Sequence, residues 1–333
     1  MSDPNIIQAA PPTAGMVPEA APARRKRRVP ETAALLIFLL ALCVFFAIRS
    51  PYFLNYDNFV NILTAAAVTG IIAAPATMLL IAGQFDLSVG SASAFCGAVL
   101  ASLAGSHDLG FAVPVAILAG MGIGVLNGFL VTVVGINALI TTLGTLAAFR
   151  GLTQVLTDGQ TLSISGFSTL GTSRPLFDIP LPVFIFAGIA LAFWFMSRYS
   201  VFGRSMYAIG ANPVAARLNG IRSGRIIFVG FLLSGLCVAI GGLILTSQLG
   251  AASPQAGMGL ELSVVTAVIL GGASLAGGRG TIAGTMLGLL IIGVLNNGLV
   301  LLNVSSFWQE VARGTLLILA VSFDQLRIRL TDR

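Results

Sequence analysis

Residues 123–131 of this chain read IGVLNGFLV and residues 292–300 read IGVLNNGLV, so the two segments agree at seven of nine positions. A second related pair lies upstream of each copy: residues 86–90 read DLSVG, and residues 261–265 read ELSVV. The same order of motifs in both halves indicates an internal repeat. The alternative is chance similarity, because apolar segments are composed of only a few residue types.

The chain around these repeats is too apolar for a water-soluble domain. It is 56% hydrophobic and 9% charged, with a mean hydropathy of +0.96, whereas a soluble domain carries about 25% charged residues. We therefore predict an all-α polytopic membrane protein with about ten transmembrane helices. The predicted spans are roughly residues 32–48, 60–81, 87–104, 111–134, 138–156, 181–198, 226–247, 260–276, 281–302 and 307–323.

The number of spans in each repeat predicts how the two halves are arranged. Each repeat unit covers five spans, and an odd number of spans reverses the direction of the chain through the membrane. The two halves are therefore predicted to form inverted five-helix repeats, with a transport path at their interface as in many transporters.

Positive charge predicts the orientation in the membrane. Residues 1–30 are rich in Ala and Pro and end in the basic run 24–28, which is typical of a disordered cytoplasmic tail. With this tail inside, 14 of the 18 Lys and Arg residues are cytoplasmic, as the positive-inside rule requires. The transmembrane domain then covers residues 31–325, residues 326–333 form a second tail, and both termini are cytoplasmic. The cations lie between apolar runs rather than on a solvated face, so nucleic acid is not an expected partner.

The short outer loop 248–259 contains several glycines. Two connections are long enough to do more than join helices: the inner loop 199–225, which is rich in Arg, and the outer loop 157–180, which is rich in Ser, Thr and Gly. Loops of this length in a compact domain are often functional.

The inner loop contains a short predicted helix. Asn212 can cap it, Pro213 suits its first position, and Gly220 can end it in a left-handed conformation. A helix of under two turns is unstable alone in water, so another surface must hold it. The small residues Ala215 and Ala216 permit close approach by a partner. The alternative is an ordinary basic turn between two membrane helices.

Six polar residues within or near the spans are candidates for a path or a gate: Asp86, Asn127, Glu261, Asn296, Asn297 and Gln309. Neutral hydrogen-bonding groups suit a path for a hydroxyl-rich solute. The alternatives are that the acidic residues cap helices and that the amides form helix-to-helix hydrogen bonds. We find no catalytic set, no metal-ligand spacing and no clustered His, Cys or paired carboxylates, so an enzyme is not expected.

Several motifs resemble one family, the permeases of ribose, xylose and related monosaccharide ATP-binding-cassette (ABC) importers. They are AGQFDLSVGS at 82–91, ALITTLGTLAAFRGL at 138–152 and LGGASLAGGRG at 270–280. The resemblance covers nearly all of residues 55–325. It is carried most specifically by the inner loop, at Gly203, Arg204, Ala208, Gly210, Asn212, Ala215, Ala216, Gly220 and Ile221.

The resemblance implies a multi-pass subunit of the bacterial cytoplasmic membrane that imports a monosaccharide, such as a pentose, a hexose or a related polyol. It also implies three protein partners: a second permease copy, giving a homodimer, a cytoplasmic ABC ATPase that docks on the inner loop, and an extracytoplasmic sugar-binding protein. ATP and Mg²⁺ would act through the ATPase, since this chain has no phosphate-binding loop ending in Lys and Ser or Thr. The alternative is a gradient-driven secondary transporter of a small polar solute, which would more often place acidic residues at matched positions within the membrane.

Overall fold

The structure is a computed structural model that describes residues 31–331, with side chains for residues 33–322. The predicted basic tail at residues 1–30 lies outside the described residues. Across residues 31–331 the chain forms thirteen α-helices and two short strands. In chain order these are α1 (Glu31–Arg49), α2 (Tyr56–Ile81), α3 (Val89–Ala104), α4 (Leu109–Phe129) with a π-helical extension (Leu130–Val134), α5 (Ala138–Thr157), β1 (Leu162–Ser163), α6 (Thr169–Thr172), α7 (Leu181–Tyr199), α8 (Val201–Ala211), α9 (Pro213–Leu218), α10 (Ser223–Leu249), β2 (Ala251–Ala252), α11 (Leu260–Leu270), α12 (Ile282–Leu301) and α13 (Ser306–Thr331).

Two helices, α2 and α10, form the centre of the bundle. In the most apolar 18-residue window of each helix, 72% of the residues are buried in α2 and 61% in α10. The corresponding value for α7 is only 11%. α7 instead presents large apolar side chains outward, among them Leu191 and Phe195. Apolar surface this extensive needs an apolar environment, which a lipid bilayer supplies.

Glycines allow α4 to pack closely against α10. A Cβ added at Gly120 or Gly124 would meet the backbone of α10, and one added at Gly235 would meet the backbone of α4. This is the small-residue packing typical of membrane helices, where no hydrophobic force between helices is available and close backbone approach supplies the contact.

Six helices within the described residues are long and apolar enough to cross a membrane, judged by length and composition: α2, α4 with its π-helical extension, α5, α7, α10 and α12. The apolar helices α1, α3 and α11 are shorter. The all-α polytopic class is therefore confirmed. The count of ten spans, the inverted repeats and the orientation of the termini stay predictions.

The predicted span at residues 260–276 is too long. α11 ends at Leu270, because Gly271 and Gly272 follow it and Gly272 has a φ of +90°. At 1.5 Å per residue the helix is about 16 Å long, roughly half the thickness of the hydrocarbon core. At the C-terminal end, helix α13 continues to Thr331, so most of the tail predicted at 326–333 is helical.

The loops predicted to lie outside meet at one end of the bundle, which we call the β end. β1, from loop 157–180, pairs antiparallel with β2, from loop 248–259. Ser247 also donates a hydrogen bond to the carbonyl of Phe167. The helices α8 and α9 lie at the opposite end, which we call the α9 end. α8 is a helix of eleven residues that the sequence did not predict.

Candidate coupling loop and buried polar groups

The short helix predicted in the inner loop is present as α9. The Asn212 side chain accepts hydrogen bonds of 3.0 Å from the backbone N–H groups of Val214 and Ala215, and Pro213 occupies the first position. Gly220 follows the helix with a φ of +80°, a left-handed conformation that favours glycine. Local capping thus fixes both ends of α9.

One face of α9 is buried and the other projects from the chain. Ala216 is only 4% exposed and packs into the main hydrophobic core, whereas Val214 is 63% and Leu218 is 84% exposed. Ala215 is partly buried. This differs from the expectation that Ala216 faces a partner, because its small side chain instead seats the helix on its own bundle. The surface left for a partner is formed by Val214, Arg217 and Leu218.

The preceding helix, α8, is held by close backbone contacts along its length. A Cβ added at Gly203 would meet the carbonyl oxygens of Met196 and Ser197. Arg204 donates through Nη1 to the Tyr199 carbonyl at 3.1 Å. Ala208 lies on the side that packs against the main core.

The C-terminal part of α8 contacts residues 271–281, the loop between α11 and α12. A Cβ added at Gly210 would meet the Ile81 carbonyl oxygen and lie 2.5 Å from the Gly278 nitrogen. The Gly278 N–H donates to the Ile81 carbonyl at 2.8 Å, and the Tyr207 hydroxyl donates to the Gly280 carbonyl at 2.8 Å. Burial raises the pKa of the Tyr207 phenol, which keeps it protonated as a donor. We call this three-way contact of α2, α8 and loop 271–281 the glycine clasp.

The sequence indicated the glycine clasp only in part. The glycines of residues 270–280 were singled out as a motif, but their contact with Gly210 joins parts of the chain that are far apart in sequence. The positive φ of Gly277 and Gly278, at +82° and +74°, shows why glycine is needed there.

A cavity of about 1290 Å³ opens beside α9. Its walls come from the end of α2, the π-helical extension of α4, the start of α5 and the start of α10. Polar lining is supplied chiefly by Gln84, Asn137, Arg217, Arg222 and Arg225. The cavity therefore places open space between α9 and residues 82–85, the turn that leads to Asp86.

Asp86 and Asn127, two of the candidate path residues, belong to one buried network. Asp86 accepts hydrogen bonds from the Ser88 hydroxyl at 2.6 Å and from the Ser234 hydroxyl at 2.8 Å. Asn127 donates to the Ser88 hydroxyl at 2.9 Å. The carboxylate also accepts from the Ser88 backbone N–H, so it supports the turn that begins α3. The network ties this turn to α4 and α10, and Ser234 is a member that the sequence did not reveal.

The other four candidates lie elsewhere. Asn297 donates to the Asn58 side chain at 2.8 Å, which joins α12 to α2, and the neighbouring Asn296 is partly buried on the same helix. Gln309 donates to the Val304 carbonyl at 3.1 Å near the start of α13. Glu261 is in the first turn of α11, and its Oε2 is buried without a hydrogen-bond partner. The candidates therefore do not form a single lining in one chain.

Comparison with known families identifies the class of protein to which this helical bundle belongs. Residues 58–321 match the family described as "branched-chain amino acid transport system / permease component". The chain belongs to this family of integral inner-membrane permeases of ABC importers. It is a transport component rather than an enzyme.

Among its relatives is the ribose import permease protein RbsC of Escherichia coli K12, which is 40% identical over 296 residues, covering 87% of this chain and 92% of the relative. RbsC of Bacillus subtilis 168 is also 40% identical, over 87% of this chain and 90% of the relative. The D-allose transport system permease protein AlsC of Escherichia coli K12 is 38% identical over the same shares. No solved structure gives a significant match.

Proposed function

We propose that this chain is the permease of an ATP-driven monosaccharide importer that works by alternating access. The observation that carries the proposal is α9, a capped helix that buries Ala216 in its own bundle and exposes Val214 and Leu218. A docking helix has to be attached rigidly on one side and free on the other, because only then does a push on it move the bundle. The 35–40% identity to relatives named for ribose, allose and arabinose supports a sugar as the solute.

In this mechanism ATP and Mg²⁺ bind to a separate cytoplasmic ATPase, which docks on the exposed face of α9. An extracytoplasmic binding protein delivers the sugar at the β end. A second copy of the permease completes the path. Movement of α9 is passed to α8 and through the glycine clasp to α2 and α11, because Gly210 and Gly278 are in direct backbone contact.

The proposal includes the predicted topology of ten spans in two inverted repeats with both termini in the cytoplasm. Two features support it. The loops 157–180 and 248–259, both expected outside, are paired at the β end. The inner loop 199–225 lies at the opposite end, together with the C-terminus of α2.

Replacing Leu218 with arginine tests the docking role of α9. The side chain is 84% exposed, so the substitution leaves the fold intact while placing a charge in the proposed apolar contact. We expect the purified L218R permease to lose the copurifying ATPase, with ATP-dependent uptake of labelled ribose by cells falling at least tenfold. Such a loss fits the removal of one interface anchor, which costs about 2 kcal/mol or more.

The matched control is Leu54→Arg, since Leu54 is 67% exposed in the turn between α1 and α2, close to the β end. This variant should keep the ATPase. If L218R retained the ATPase at wild-type stoichiometry, α9 would not be the docking helix. Uptake by the purified wild-type chain alone in liposomes, driven by an ion gradient, would instead establish a secondary transporter.

A further inference from the structure

Three charged side chains from three helices meet where the outer loop 248–259 joins α11. Arg150 on α5 donates through Nη1 to the carbonyls of Pro254 and Ala256, at 2.6 Å and 2.9 Å. Its charge also interacts with that of Glu261. On the other side, Arg313 on α13 brings Nη1 to 3.8 Å from the position a Cβ would take at Gly259.

Two of these groups are buried with incomplete bonding. The Glu261 Oε2 packs over Gly90 in the first turn of α3, where an added Cβ would meet it, and accepts no hydrogen bond. The Arg313 Nε is likewise buried and donates none. Unsatisfied buried polar atoms are uncommon in native structures, and each one calls for a physical reason. Here the Glu261 Oε2 and the Gly257 carbonyl both lie over Gly90, one residue from the Ala256 carbonyl that accepts from Arg150.

We propose that Arg150 and Glu261 form a latch with two alternative sets of bonds, which holds and releases the outer loop 248–259. This inference rests on the proposed function. In the described arrangement Arg150 holds the loop through the two carbonyls. In the alternative arrangement the Glu261 carboxylate binds the Arg150 guanidinium. Because Arg150 then no longer holds the loop, the loop is released and the β end opens. An arginine–carboxylate pair can form two parallel hydrogen bonds, so it replaces both that Arg150 gives up.

The short length of α11 connects this latch to the opposite end of the molecule. Its first turn carries Glu261, and Gly271, directly after its last residue, packs against the backbone of Gly284 at the start of α12. The loop that follows is part of the glycine clasp. α11 is therefore a rigid rod of about 16 Å, with the glycine clasp at one end and the latch at the other. A displacement of the clasp shifts Glu261 relative to Arg150, which changes the balance between the two arrangements.

The latch makes opposite predictions for two neutral substitutions. Arg150→Gln removes the hold on the loop, so the complex of permease and ATPase should hydrolyse ATP about tenfold faster without binding protein. Glu261→Gln removes the charge that draws Arg150 away, so the same rate should fall about tenfold. A hydrogen bond to a charged group contributes on the order of 1.5–3 kcal/mol, which corresponds to a tenfold or larger shift in a two-state population. Both variants should transport less ribose.

The experiment measures ATPase activity of the assembled complex in proteoliposomes, together with ribose uptake by cells at matched abundance. Arg150→Lys keeps a donor and a positive charge for the loop carbonyls but cannot form the two parallel bonds to Glu261, so its ATPase rate should not rise above that of wild type. A merely structural role of Arg150 would not give opposite shifts for the two neutral variants. Arg49→Gln is the control, because Arg49 ends α1 and lies over the ring of Phe45, away from the latch.

The latch is overturned if Arg150→Gln and Glu261→Gln shift the ATPase rate in the same direction, or if both stay within about twofold of wild type. It is also overturned if Arg150→Lys behaves like Arg150→Gln. Should Arg150→Gln fail to assemble with the ATPase, Glu261→Gln decides by itself, and the latch is overturned if its ATPase rate rises or stays within about twofold of wild type. ATP-dependent uptake by the wild type is measured in parallel, so failure of the proposed function is distinguished from failure of the latch.

Discussion

Gly210 offers a direct test of the glycine clasp, because its replacement by alanine puts one methyl group between α8 and the loop 271–281. The added Cβ would lie 2.5 Å from the Gly278 nitrogen, about 0.9 Å short of an ordinary contact at 3.4 Å, and still closer to the Ile81 carbonyl oxygen. Both neighbours are backbone atoms, so neither can rotate away as a flexible side chain would.

Relieving this overlap has to separate the partners of the clasp. A shift of that size takes the bond between the Tyr207 hydroxyl of α8 and the Gly280 carbonyl, now 2.8 Å, out of hydrogen-bonding range. Overpacking costs about 1–3 kcal/mol, and a lost hydrogen bond about 1 kcal/mol, so we expect G210A to lose about 2–4 kcal/mol of stability.

Thermal unfolding of the purified protein in detergent, followed by tryptophan fluorescence, measures the loss. The midpoint for G210A should fall on the order of 5 °C, and uptake should fall relative to ATP hydrolysis because the clasp transmits the movement of α9. Gly188→Ala is the matched control, since a Cβ at Gly188 on α7 meets nothing within 4 Å. Equal midpoints for the two variants would refute the reasoning.

Two further predictions concern the packing of the bundle. Gly124→Leu should prevent α4 from packing against α10, because its Cβ would meet the Phe231 carbonyl oxygen; folded yield judged by size-exclusion chromatography should collapse, while Gly122→Leu, whose Cβ meets nothing within 4 Å, should fold normally. Ser234→Ala removes one of the hydroxyl donors to Asp86 and should cost about 1 kcal/mol, measured as a lower unfolding midpoint. Ser234→Thr, which keeps a hydroxyl, should recover part of that loss, and an unchanged midpoint for Ser234→Ala would contradict the role given to the network.

The sequence was most informative where structure depends on neighbouring residues. α9 could be predicted with its cap and its terminating glycine, because Asn212, Pro213 and Gly220 act within a few residues of one another. The direction in which α9 faces could not be predicted, since burial of Ala216 depends on which helices lie beneath it.

Contacts between distant parts of the chain explain what was missed. Asp86 was a visible candidate, but its partner Ser234 is 148 residues away and is one of many serines. The end of α11 was misplaced because apolar residues continue beyond Leu270, and hydropathy does not register the turn at Gly271 and Gly272. Arg150 fell within a motif that the resemblance marked, yet its bonds to two carbonyls of a loop about a hundred residues away leave no pattern in the sequence.

The glycine clasp also limits where the chain tolerates an insertion. A loop at the end of a membrane bundle is ordinarily a safe place for an epitope tag or a protease site, since its backbone is solvated and its length is free. Residues 277–280 are different, because the Gly278 N–H must reach Ile81 at a fixed register and the neighbouring backbones leave no room for a side chain at Gly277 or Gly278. Insertions there break a bond within the bundle. Tags and reporter cysteines are better placed near Ser305, which is exposed in the turn between α12 and α13 at the opposite end.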